Sequence, residues 1–155
     1  MYSLQISDEL TKDIKSSIAV FMERGMTLDE ALEFFLDSRY LHCLRVDLED
    51  SILMEIWVCC RRFGNGLRTD EEGSYYMNER DNIIEWLMDD TGKSKGYLYN
   101  QIYRLRNKGF IQTEVKTVND KRLTLLSLTV QGMGVIDSFL NQIRGVYEGS
   151  TTTIT

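Results

Sequence analysis

The sequence predicts a mainly α fold of the α+β class, and three observations lead to that prediction. Apolar residues recur at helical spacing through most of the chain, which indicates several amphipathic helices. Two runs rich in β-branched residues, 111–118 and 121–129, flank Asn119-Asp120, as is typical of a β-hairpin. The chain has 155 residues, of which 43% are apolar and 27% charged, so it can bury a core and is not disordered as a whole.

Three helices are expected in the first half of the chain. The first takes Ser7 as its N-cap and carries an apolar stripe at steps of three and four residues. Thr27 and Glu30 form a capping box that opens the second helix. The third helix runs over 48–63 and stops at a Gly-Asn-Gly turn signal at 64–66.

The second half predicts a different set of elements. A short strand at 74–77 is expected to join the hairpin, and Asn78 is expected to cap a helix that follows it. A tight turn at 91–93 ends that helix, and another helix, capped by its first residue, runs over 94–108. After the hairpin, apolar residues at steps of three and four indicate a last helix over 130–147.

This order of elements predicts a winged helix-turn-helix with a two- to three-stranded wing and extra N- and C-terminal helices. We expect it to divide into four parts. They are an N-terminal helical extension at 1–46 that is a dimerisation candidate, a DNA-binding winged helix-turn-helix at 47–129, a C-terminal helix at 130–149 that packs or dimerises, and a flexible tail at 150–155.

Charge is distributed unevenly along the chain. The formal net charge is −6, but residues 91–129, here called the basic segment, hold eight Lys and Arg against two Asp and Glu. Residues 1–78 have a net charge of −7 and residues 79–90 a net charge of −4. Such an asymmetry marks where an anionic partner would bind, although a solvated face that balances the acidic flanks is the alternative.

The 94–108 helix has two contrasting sides. On a wheel of about 100° per residue, Leu98, Ile102 and Leu105 fall on one arc, which we expect to face the core. The opposite arc has no acidic and no aliphatic residue. It carries Lys93, Gly96, Tyr97, Asn100, Tyr103, Arg104 and Asn107. An ordinary solvated helix face mixes acids with bases, so this arc favours contact with DNA.

We therefore expect residues of this helix and of the hairpin turn to bind double-stranded DNA. Asn suits adenine edges, Arg suits guanine or phosphate, and a hairpin cation suits the minor groove. Tyr97, Asn100, Tyr103 and Arg104 are expected at base edges. Phosphate contacts are expected from Lys93, Lys95, Lys108 and also Arg104, and the remaining expected DNA contacts are Ser94, Gly96, Lys121 and Arg122. For Lys121, a cation that only keeps the hairpin tip soluble is an equal alternative.

Residues 79–134 resemble the DNA-binding core of the MarR family of bacterial transcriptional regulators, including staphylococcal global regulators and phage-encoded relatives. The motifs that carry the resemblance are Thr91-Gly92-Lys93-Ser94-Lys95-Gly96, Leu105-Arg106-Asn107-Lys108-Gly109-Phe110-Ile111, Asp120-Lys121-Arg122 and Leu128-Thr129-Val130-Gln131-Gly132. The resemblance implies that Arg122 enters a minor groove with Asp120 as its orienting partner. It also implies a homodimer, built from the terminal helices, that reads a pseudo-palindromic site.

Other classes of function have little support in the sequence. It contains no P-loop, no GxGxxG motif and no nucleophile elbow, so an enzyme is not expected. His42 is the only His, and Cys43, Cys59 and Cys60 lack CxxC spacing, so neither a metal site nor a cofactor is expected. Cys59 and Cys60 are expected to fill the core, and Cys43 is either a buried structural thiol or a redox sensor.

The expected location is the cytoplasm, in association with the nucleoid. The sequence has no run of 18 apolar residues and no basic region followed by an apolar stretch at its start, so no membrane partner is expected. A second class of function stays open beside the DNA-binding regulator. In that alternative, the winged helix is a protein-interaction module that uses its acidic surface, as in a replication or partition factor or a phage inhibitor of a host protein.

Overall fold

The computed structural model describes residues 4–39, 47–63, 67–70 and 73–149, and these residues form a mainly α structure of the α+β class. The predicted fold class is confirmed at this level. The described helices and strands are α1 (Asp8–Glu23), α2 (Leu28–Arg39), α3 (Leu48–Phe63), β1 (Leu67–Asp70), β2 (Gly73–Tyr76), α4 (Arg80–Thr91), α5 (Lys95–Asn107), β3 (Ile111–Val118), β4 (Lys121–Leu128) and α6 (Val130–Glu148).

Local capping chemistry sets the starts of the first helices, as predicted. The Ser7 hydroxyl accepts a hydrogen bond from the backbone N–H of Leu10 at 3.1 Å. At α2, the Glu30 N–H donates to the Thr27 hydroxyl at 3.2 Å, and the Thr27 N–H donates to the Glu30 carboxylate at 3.2 Å. The turn predicted at 64–66 and the tail predicted at 150–155 lie outside the described residues.

The chain divides into two compact units. One unit is Leu48–Gly134, which contains α3, α4, α5, the four described strands and the start of α6. The other unit consists of the described residues of Met1–Asp47 and Val135–Thr155. Within this second unit, α1 and α2 pack together, and the Arg39 guanidinium lies 2.8 Å from the Asp13 carboxylate.

The four described strands form two separate antiparallel sheets. Strands β3 and β4 pair along their whole length, from Ile111 opposite Leu128 to Val118 opposite Lys121, and this pair is here called the hairpin. Strand β2 pairs with β1 and not with the hairpin, so the prediction that 74–77 would join the hairpin is wrong. The missed partner, β1, has only four residues, two of them charged, and gives no alternating apolar signal.

The segment that reaches the hairpin is instead the pair of residues directly after Met77. The Leu126 N–H donates to the Asn78 carbonyl at 2.8 Å, the Asn78 amide donates to the Leu126 carbonyl at 3.1 Å, and Glu79 forms an isolated bridge to Leu125. The predicted cap is therefore also corrected. Because Asn78 is buried against β4, the cap of α4 is Glu79, whose carboxylate accepts hydrogen bonds from the N–H groups of Asp81 and Asn82.

No helix in the described part of the chain is long and apolar enough to cross a membrane. Among the same residues, no group of His, Cys, Asp and Glu side chains is arranged to hold a metal ion.

Candidate nucleic-acid interface

Helix α5 is placed by a tight turn and a cap at its start. Gly92 follows α4 with φ of 70°, in the left-handed region that favours glycine, and its N–H donates to the Met88 carbonyl. The Ser94 hydroxyl then accepts from the Tyr97 N–H at 3.2 Å, which confirms the predicted cap. The inner side of α5 is buried as predicted, with exposures of 0% at Leu98, 4% at Ile102 and 1% at Leu105.

The predicted DNA-facing side of α5 is exposed along its length, and we call it the nucleic-acid face. It consists of Lys93, Gly96, Tyr97, Asn100, Tyr103, Arg104 and Asn107, each of them exposed. Tyr103 is 60% exposed, and α5 has no acidic residue anywhere. The Asn100 amide, near the middle of this face, makes no hydrogen bond within the described part of the chain, so its donors and its acceptor are open to a ligand.

The cations around α5 fall into two groups. The Lys93 and Lys95 ammonium groups lie over the rings of Tyr97 and Tyr99, each 5.7 Å from the ring centroid, so they are held at the start of the helix. A second group forms no ion pair with any carboxylate of the described residues. It consists of Arg104, Arg106, Lys121 and Arg122. The sequence prediction left out Arg106, which lies off the arc used to select contacts but is exposed.

Lys108 differs from the other predicted phosphate contacts. It is the C-cap residue of α5, and its ammonium lies 2.9 Å from the Glu49 carboxylate at the start of α3. A phosphate that binds Lys108 must first displace Glu49. This displacement costs little, because an exposed ion pair of this kind contributes only about 0–1 kcal/mol to stability. The spacing of 59 residues explains why no local sequence pattern indicated the pair.

The turn of the hairpin presents the other predicted cations. Asn119 and Asp120 have φ of 51° and 65°, the two positive values that a type I′ two-residue hairpin loop requires. Seven residue steps at about 3.3 Å place this turn about 23 Å from the base of the hairpin. Asp120, Lys121 and Arg122 are exposed, and no ion pair links Asp120 to Arg122, so the orienting role of Asp120 stays a prediction.

A junction of four residues fixes the end of α5 to the end of the hairpin. The Thr129 N–H donates to the Phe110 carbonyl at 3.1 Å, and the Thr129 hydroxyl donates to the Gly109 carbonyl at 2.5 Å. The same hydroxyl accepts from the Gly132 N–H at 3.1 Å in the first turn of α6. A Cβ on Gly132 would lie 2.1 Å from the Phe110 carbonyl oxygen, so only glycine fits there. The junction (Gly109, Phe110, Thr129, Gly132) thus gives a structural reason for two of the sequence motifs.

Glu79 connects α4 to the hairpin and is an unusual cap. It is 6% exposed, and burial raises the pKa of its carboxyl group above the ordinary value even though two backbone N–H groups donate to it. The same residue bridges to Leu125 and caps α4, so α4 is tied directly to β4.

The cysteines of the described residues have the environment of structural thiols. Cys59 is buried and Cys60 half-buried, and burial raises both pKa values, that of Cys60 to about 11. Both thiols are therefore protonated near neutral pH, in agreement with their predicted role as core residues. His42 and Cys43, with the open choice between a structural and a redox thiol, lie outside the described residues.

Comparison with protein-family models, curated proteins and solved structures finds no match to this chain.

Proposed function

We propose that this chain is a sequence-specific double-stranded DNA-binding transcriptional regulator. In this proposal Leu48–Gly134 works as a winged helix-turn-helix, with α4 and α5 as the helix pair and the hairpin as the wing. The carrying observation is the nucleic-acid face, which is exposed and free of acidic residues, together with Arg104 and Arg106, which form no ion pair with any described carboxylate. A helix of 13 residues, about 20 Å long, has dimensions that suit a major groove.

The residues divide into two roles. Arg104, Arg106 and the lysines at the start of α5 would bind phosphates, which position the protein without reading sequence. Asn100, with Tyr97 and Tyr103 on either side, would contact base edges, and each good base contact would contribute about 1–3 kcal/mol of discrimination. Arg122 at the hairpin tip would enter the adjacent minor groove, where narrow A·T tracts concentrate negative potential.

The proposal also includes a homodimer that reads a pseudo-palindromic site, and a relationship to the MarR family. Both rest on the sequence motifs described above. The junction gives Thr129, Gly132 and Gly109 of those motifs a definite structural task, which supports the relationship to the family.

The test is selection from a random duplex library at low salt, followed by titration of the enriched duplex. We expect log affinity to fall linearly with log salt as counterions are released from the phosphates. Arg122→Ala should weaken binding without unfolding the protein, and Asn141→Ala, an exposed change in the other unit, is the control. Full affinity of Arg122→Ala would remove the hairpin tip from the proposal.

A protein-interaction module is the second candidate function. The exposed charged residues of the unit described by 4–39, 47 and 135–149 are mostly acidic, as expected for a surface that binds basic proteins. Tight binding to a protein, together with no binding to any duplex at low salt, would favour this candidate over the DNA-binding regulator.

A further inference from the structure

We propose that the outer side of α4 is a docking surface for an arginine-bearing basic segment of another protein. The surface, here called the α4 face, consists of Glu85, Trp86, Asp89 and Asp90. It is separate from the nucleic-acid face and uses none of the residues assigned to DNA.

Trp86 is exposed although its helix has a well-formed buried side. Ile83, Ile84 and Leu87 are 0–1% exposed, whereas Trp86 is 49% exposed. Tryptophan at the centre of a surface patch is the residue type most often found as an anchor in protein interfaces. The exposed part of its large ring is thus available to a partner.

The carboxylates around Trp86 have no cationic partner in the described part of the chain. Asp89 and Asp90 lie one turn after Trp86 on the same side of the helix, and Glu85 directly precedes it. None of the three forms an ion pair with any described residue. Two of these acids lie in the last turn of α4. The helix dipole favours a cation there, but this turn holds no Lys or Arg. An external cation would therefore be attracted by both the carboxylates and the helix end.

Four other aromatic rings of this unit lie beneath a cation, and Trp86 differs from them in this respect. Arg61 lies over Trp57, Arg80 and Lys95 lie over Tyr99, Lys93 lies over Tyr97, and Lys116 lies over Tyr76. Trp86 has no such cation among the described residues, although tryptophan is the best ring for this interaction. The nearest lysines in sequence, Lys93 and Lys95, are turned to tyrosines instead.

Charge complementarity and the open ring together specify the partner's chemistry. A guanidinium stacks on an indole and donates two parallel hydrogen bonds to a carboxylate, whereas an ammonium is a compact and strongly hydrated point charge. The α4 face therefore fits arginine in a basic segment better than lysine.

The experiment measures binding of fluorescein-labelled nona-arginine and nona-lysine peptides to the full chain by fluorescence anisotropy, without DNA. We expect saturable binding of nona-arginine that is at least about threefold tighter than that of nona-lysine. Trp86→Ala should weaken nona-arginine binding about fivefold and remove the preference for arginine. Asp89→Asn/Asp90→Asn should weaken both peptides. The matched control Glu23→Gln/Glu148→Gln, which removes two exposed carboxylates from the other unit, should have a smaller effect.

Two results would overturn the proposal. Equal binding of the two peptides, unchanged by Trp86→Ala, would mean that only the overall negative charge attracts them. A wild-type dimer that becomes a monomer in Trp86→Ala, measured by sedimentation, would mean that a second copy of the chain covers the α4 face. Because Trp86 lies outside the nucleic-acid face, Trp86→Ala should bind the enriched duplex as wild type does, so this test is independent of the DNA-binding proposal.

Discussion

Two glycines in the first turns of α6 should respond in opposite ways to the same substitution. A Cβ on Gly132 would lie 2.1 Å from the Phe110 carbonyl oxygen and 3.1 Å from its carbonyl carbon, whereas a Cβ on Gly134 would meet nothing within 4 Å. Carbon and oxygen normally approach to about 3.3 Å, so Gly132→Ala must displace the start of α6 by about 1 Å.

The displacement has a calculable cost. Overpacking of this size costs about 1–3 kcal/mol, and the hydrogen bonds that Thr129 makes in the junction contribute about 1 kcal/mol each. We therefore expect Gly132→Ala to lower the free energy of unfolding by about 2–4 kcal/mol. Gly134→Ala should raise it by about 0.5–1 kcal/mol, because alanine loses less backbone entropy than glycine in a helix.

Urea unfolding followed by circular dichroism at the helical band measures both values. The slope with denaturant should stay unchanged, so that the shift in midpoint reports stability. If the two variants agreed within about 0.5 kcal/mol, the general error on such differences, the close packing of Gly132 on the Phe110 carbonyl would be refuted.

Three further predictions concern the interface and its anchor. A Cβ on Gly96 meets nothing within 4 Å, so Gly96→Ala should leave the protein folded and equally or more stable. The same change should weaken duplex binding, because DNA approaches this turn closely in the proposed complex. Unchanged duplex affinity would mean that DNA does not contact the first turn of α5. Glu49→Gln frees Lys108 from its ion pair, so duplex affinity should rise up to about fivefold and the salt slope should steepen by up to about 0.9; an unchanged slope would argue against a phosphate at Lys108. Because burial raises the pKa of Glu79, the folded protein binds a proton more readily than the unfolded chain there. The stability of wild type relative to Glu79→Gln should therefore increase as pH falls through the range between the raised pKa and the ordinary value of 4.5. Urea midpoints measured across pH test this. The opposite trend would mean that the N–H donors lower the pKa of Glu79 by more than burial raises it.

Features encoded by neighbouring residues could be predicted from the sequence. The caps at Ser7, Thr27 and Ser94 each involve a side chain and an N–H group within three residues, so the sequence pattern alone identifies them. The buried stripe of α5 and the turn at Asn119-Asp120 follow equally from helical spacing and from residues that tolerate positive φ.

Features that depend on residues distant in the sequence could not be predicted from it. Asn78 has the composition of a cap, but its hydrogen bonds to Leu126, 48 residues away, remove it from that role and leave the cap to Glu79. The pair of Lys108 with Glu49 is hidden for the same reason. Strand β1 was missed because a four-residue strand is too short for an alternating pattern to emerge.

Base reading by α5 is decided by duplex selection repeated with the wild type and with Asn100→Ala under identical conditions. We expect an enriched motif with two-fold related halves for the wild type, and loss of preference at one position in each half for the variant. Identical motifs for the two proteins would contradict base reading by α5, and no enrichment at low salt for the wild type would contradict DNA recognition itself.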